Sequence, residues 1–128
     1  MKKNLLLAIL GAICLFCLAG CSKYTSHYSA LMMVTTNTSK AASISFSSLD
    51  GTRAFKLKSD GHLNFSAKLG EGSATVFYDS NGTKTELFSI SGGQEIQSST
   101  IAVNPGTVYV IVQTDGKCKE GRFSFDVK

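Results

Sequence analysis

The chain of 128 residues has no tryptophan, a single proline, two histidines and four cysteines. Each scarcity removes a class of protein. Without tryptophan, and without two cysteines placed to bridge facing sheets, a true immunoglobulin domain is excluded. The indole platform common in sugar-binding modules is missing too. Two histidines, His27 and His62, leave little material for nucleophilic catalysis, which needs a histidine in reach of both a nucleophile and an acid. Serines are so abundant that one near His62 carries no information, and no Gly-x-Ser-x-Gly elbow occurs. Charge is also sparse, at 17% of residues with a net +4. No cationic run suggests nucleic acid or an anionic lipid surface.

Cofactor and metal motifs are equally thin. Gly70-Glu71-Gly72-Ser73 is no phosphate loop, because neither a lysine nor a helix follows it. Asp50, Asp60, Asp79 and Asp115 all fall at turns, where Asp is expected without any ion. Asp79-Ser80-Asn81-Gly82-Thr83 begins like a calcium loop but lacks the later acidic ligand. No cofactor and no metal are expected. A glycosidase would need two carboxylates across a cleft, and a domain of this size has little room for one.

What is present begins with the first twenty residues. Met1-Lys2-Lys3-Asn4 is a short cationic start, and Leu5 to Leu18 carries no charge. Small residues follow, in Ala19-Gly20-Cys21-Ser22. These are the parts of a secretory signal peptide. As a helix, the apolar run would span roughly 21 Å, short of a bilayer core of about 30 Å. A retained membrane anchor and a buried helix are the weaker alternatives.

Leu18-Ala19-Gly20-Cys21 resembles the lipobox of bacterial lipoproteins, in four consecutive residues placed where the apolar region ends. The resemblance covers only the signal segment. It implies a diacylglyceryl group on the Cys21 thiol and cleavage just before it. Two or three acyl chains give stable anchoring where one is marginal. Ser22, in place of aspartate, points to the outer membrane if the cell has one. The other reading is an ordinary signal peptide with Cys21 free or paired.

Cleavage there leaves 108 of the 128 residues, one small domain, and removes Lys2 and Lys3 with the leader. Eleven basic against nine acidic side chains then remain, a near-neutral surface. Cys14 and Cys17, spaced like a redox or zinc pair, leave with the signal peptide. Cys118 is the remaining thiol, flanked by Lys117, Lys119 and Glu120 in a stretch that reads as a loop. The expected organisation is signal peptide 1–20, lipidated N-terminus and Ser/Thr-rich tether 21–42, and one domain 43–128. Ala30 to Val34 is apolar enough for an edge strand or a segment packed on that domain.

From Ile44 the pattern has period two. Ile44 and Phe46, then Phe55 and Leu57, alternate with serines and lysines. Leu63, Phe65, Ala67 and Leu69 form the cleanest half-buried strand. Thr75 to Tyr78, Glu86 to Ile90, Ile96 to Val103, Val108 to Val112 and Phe123 to Val127 follow. Apolar residues on both faces make the Val108 strand central. Asp50-Gly51, Asp60-Gly61, Asn81-Gly82 and Asp115-Gly116 read as tight turns, with Asp60-Gly61 the strongest hairpin signal. Seven or eight strands at this spacing predict an all-β antiparallel sandwich, with a small closed barrel as the alternative. The pattern generically resembles jelly-roll and immunoglobulin-like accessory modules of exported bacterial proteins, which transfers no binding residue.

The combined expectation is a non-enzymatic lipoprotein of the bacterial cell envelope. Its membrane partner is lipid bound through acylated Cys21, and its domain faces periplasm or exterior. It would serve as a protein-interaction or assembly module. The alternatives are a glycan or small-ligand binding module, and an envelope inhibitor of a hydrolase acting through Lys117 to Glu120. No nucleic acid partner is expected. Tyr78 and Tyr109 are the candidate ligand-binding residues, because Phe77-Tyr78 places a ring on each face of its strand and Tyr109 interrupts an apolar one.

Overall fold

The computed structural model describes residues 24–128; the expected signal segment, and Cys21 with the residues that resemble a lipobox, lie outside the described residues. Nine antiparallel strands form: β1 (His27–Leu31), β2 (Val34–Asn37), β3 (Ala41–Ser59), β4 (His62–Glu71), β5 (Ser73–Asp79), β6 (Thr85–Ser91), β7 (Glu95–Ala102), β8 (Gly106–Thr114) and β9 (Cys118–Val127). Of the stretch 21–42, β1 and β2 lie along β3 as edge strands.

The strands pair in the order β6-β5-β8-β3-β9-β4-β7. β3 is long enough to serve two layers. Its first half pairs with β9 and its second half with β8. One layer is β6-β5-β8-β3 and the other β3-β9-β4-β7, with their apolar faces inward. β6 and β7 are not paired with each other, which leaves one open seam. This nearly closed barrel fits the barrel alternative at least as well as a sandwich of separate sheets.

The reason lies at the bends. Buried residues in β3 are Ala42, Ile44, Phe46 and Ser48 on one parity, then Leu49, Phe55, Leu57 and Ser59 on the other. The parity switches at the adjacent buried pair Ser48-Leu49, just before Gly51, which has a φ of 133°. A Cβ on Gly51 would meet the backbone of Tyr28, with Cα at 2.6 Å. The Thr114 hydroxyl accepts from the Gly51 N–H at 2.8 Å and donates to its carbonyl at 3.2 Å, tying the bend to the end of β8. β4 and β5 together, β6 and β7 together, and β8 and β9 together bend at the same level, at Gly72, Gly93 and Gly116, each with positive φ.

Several expected turns are therefore corrected. Asp50-Gly51 is a bend inside one strand, and Asp115-Gly116 joins two strands that follow each other along β3 without pairing. Asp60-Gly61 is a tight turn but no hairpin, since β9 lies between β3 and β4. Asn81-Gly82 does close a hairpin, with Tyr78 opposite Thr85. β8 is central, paired to β3 and β5.

The layers meet through aromatic rings. Phe88 of β6 stacks on Phe65 of β4 at 5.4 Å and on Phe123 of β9 at 6.4 Å, while Phe55 faces Phe125 at 6.5 Å. Each ring buries a large apolar area, and offset pairs add about 0.5–1.5 kcal/mol beyond it.

Candidate functional site

A surface depression lies on the outer face of the β3-β9-β4 layer. It is about 430 Å³ and is lined by Met32, Ser45, Phe46, Ser47, Lys68, Glu120, Gly121 and Arg122. A second hollow of about 250 Å³ shares Ser45 and Arg122 and continues past Ser43 and Ser124. Together they form a groove that follows β3 and β9.

Its origin is a fault in the strand ladders. Met32 and Glu120 are the two non-glycine residues with positive φ among the described residues, at 49° and 52°. They flank Ser47, which has a cross-strand partner on neither side, while Ser45 pairs with both Val34 and Arg122. Side chains avoid this backbone region, so such outliers collect where function over-determines geometry. Gly70 makes room: a Cβ there would lie 2.9 Å from the Glu120 Cβ. Below the fault, the Phe46 ring rests on Gly121, where a Cβ would meet its Cε1 at 2.8 Å.

The chemistry of the groove is mixed. Lys68 stands opposite Arg122 across β4 and β9, and Glu95 lies on the other side of Lys68. No ion pair among the described residues engages Lys68, Arg122 or Glu120. Serine hydroxyls line the walls, and Met32, 81% exposed, forms an apolar rim. Glu120 is the one carboxylate among the residues that line the depression. Among the described residues no cluster of three His, Cys, Asp or Glu could hold a metal.

Tyr78 and Tyr109 are not brought together. Tyr78 opposes Val110 and packs against the core, beside a shallow hollow with Ser80, Asn81 and Asn104. Tyr109 opposes Asp79 on the outer face. There the Tyr24 ring meets Tyr109 edge-on at 5.3 Å, and its hydroxyl donates to Asp79 Oδ2 at 2.7 Å. Asp79 is 2% exposed and accepts the backbone N–H groups of Asn81 and Gly82, so the calcium-like segment is a carboxylate-organised turn. Phe77 carries Lys84 Nζ over its ring at 4.4 Å.

Cys118 is not in a loop. It is buried at the start of β9, and its thiol donates to the Ser73 carbonyl at 3.1 Å. Burial, with the nearby charges of Asp50 and Asp115, pushes the thiol pKa up. His62 opens β4 at the opposite end, roughly 30 Å away at about 3.3 Å per residue. No Cys–His pair forms. Lys117 to Glu120 likewise does not protrude as an inhibitory loop, since β9 starts at Cys118. Sequence reasoning missed Lys68 and Arg122, and it placed Glu120 only in the expected inhibitory loop. Period two marked Lys68 as outward-facing, but nothing in the sequence announced the backbone fault near it.

No protein-family model matches the chain, and no curated protein matches it. Solved structures give distant likenesses. The pre-peptidase C-terminal domain of a collagenase from Bacillus anthracis is 16% identical, with 81% of this chain and 88% of that one covered, at a TM-score of 0.43. A variant of a family 29 carbohydrate-binding module is 20% identical over 81% and 78%, at 0.41. Protein NMB1881 from Neisseria meningitidis is 12% identical over 88% and 94%, at 0.38. At these identities and scores the likenesses transfer neither ligand nor site residue.

Proposed function

We propose that the chain is a non-catalytic binding module that holds a glycan or comparable polar ligand in the groove between β3 and β9. We further propose that it is displayed on the bacterial envelope by lipid on Cys21, after removal of residues 1–20. The carrying observation is the ladder fault at Met32, Ser47 and Glu120, which lies in an extended, hydroxyl-lined groove on the outer face of the sheet. Ser45 sits where the two hollows join, so Ser45→Tyr fills the passage without touching the core. In affinity electrophoresis against a panel of soluble polysaccharides, the wild-type chain is retarded by at least one polymer. Ser45→Tyr is not, while its melting temperature stays within about 2 °C. Equal retardation of both would remove the groove as the site.

A second reading, an assembly module, has its own observation. Leu31, Met32 and Val34 are 63%, 81% and 65% exposed along the free edge strand. Adjacent exposed apolar residues at a sheet edge suit pairing with another protein. A Val34→Lys change that abolishes co-purification of an envelope protein, with saccharide binding intact, would favour it.

A further inference from the structure

Building on the groove reading, we infer that the ligand is an acidic sugar chain, with its carboxylate at Arg122 and Lys68 and its hydroxyls at Glu120 and the serines. The two cations are direct cross-strand neighbours on one face. They line the same depression, and no ion pair among the described residues occupies them. Arg122 also lines the second hollow, so it stands at the middle of the groove rather than at an end. A guanidinium in that position matches a planar carboxylate through two parallel hydrogen bonds.

Glu120 supplies the opposite chemistry within the same space. Its ionised carboxylate only accepts hydrogen bonds, and adjacent sugar hydroxyls donate them. Its left-handed backbone sets it out of the regular alternation of β9, where Lys119 and Glu120 are both exposed before Gly121 turns inward. Ser43, Ser45, Ser47 and Ser124 each both donate and accept, which suits successive hydroxyls along a polymer. The apolar flank of a sugar ring finds Met32 at the rim. A purely anionic ligand would meet repulsion from Glu120, and a neutral glycan would make no use of the adjacent positive charges of Lys68 and Arg122. A sugar acid satisfies both.

The test uses the detergent-extracted full chain with three probes: polygalacturonate, the same polymer fully methyl-esterified, and polyglutamate. Calorimetric titration is expected to show binding of polygalacturonate about tenfold or more tighter than of its ester. Arg122→Gln and Lys68→Gln should each lose about tenfold for the acid form with unchanged melting, and Glu120→Gln should weaken both sugar polymers. Equal affinity for acid and ester, or an unchanged Arg122→Gln, overturns the acidic-sugar inference. If Ser45→Tyr still abolishes binding in that case, the groove itself stands. Binding of polyglutamate but of neither sugar polymer overturns the sugar class, and binding of none of the three overturns the inference outright.

Discussion

Gly121 and Gly51 show how much a single missing side chain decides. At Gly121 the absent Cβ is replaced by the Phe46 ring, which in turn stacks on Phe123 at 6.3 Å. Gly121→Ala forces that ring away, and overpacking of this kind costs about 1–3 kcal/mol. Urea unfolding should show a lower midpoint with an unchanged slope. Cys118 gives a prediction in pH. Its raised folded pKa means that the folded state holds the thiol proton longer than the unfolded state does. Well below about 8.5 both states are protonated and the thiol contributes no pH dependence. Above that value the unfolded state ionises first, so stability falls as pH rises toward the folded pKa. A wild-type melting temperature that drops more steeply than that of Cys118→Ala above this pH is the expected result. Tyr24→Phe removes the hydrogen bond to buried Asp79. It should lower stability by about 1–3 kcal/mol in the same urea assay.

Among the elements, β3, β8 and β9 are paired on both sides, while β6 and β7 each have one free edge along the open seam. Local opening is easiest where pairing is one-sided. Amide exchange should therefore be faster in β7, whose residues are all exposed or half-buried, than in β8 and β9. Uniform protection across β7 and β9 would show that the seam is closed in solution. Gly51→Ala acts at this scale too. The new Cβ collides with the backbone of β1, so β1 should lose exchange protection while β8 keeps it.

For the molecule as a whole, the membrane attachment is the first property to measure. Intact mass of protein from its own cell type should show loss of twenty residues and an added diacylglyceryl group, both absent in Cys21→Ala. Membrane partition should follow the same pattern. Without added lipid, Cys21 would be an ordinary exported thiol and the envelope anchor would fall. If the anchor is present, the lead from Cys21 to docked Tyr24 is three residues, about 10 Å at full extension. That short lead would hold the outer face carrying Tyr109 near the lipid, with the groove on the opposite layer.

Period-two alternation was enough to determine the all-β class and the inward face of β4 and β9, because a strand's side chains alternate whatever it pairs with. The centrality of β8 was legible for a similar reason: Val108, Val110 and Val112 with Ile111 between them need cover on both faces. The resemblance of Leu18 to Cys21 to a lipobox is local, carried by four consecutive residues. The bends were not legible. An Asp-Gly pair serves a hairpin and a strand bend with the same backbone freedom, and only the parity switch at Ser48-Leu49, seen against the partner strands, separates them. The groove was less legible still. The left-handed turns at Met32 and Glu120 are held by contacts from neighbouring strands, such as the opening left by Gly70. They express tertiary packing, not any preference of the residues themselves. Pairing of β4 with β9 then placed Lys68 beside Arg122, more than fifty positions away in the chain.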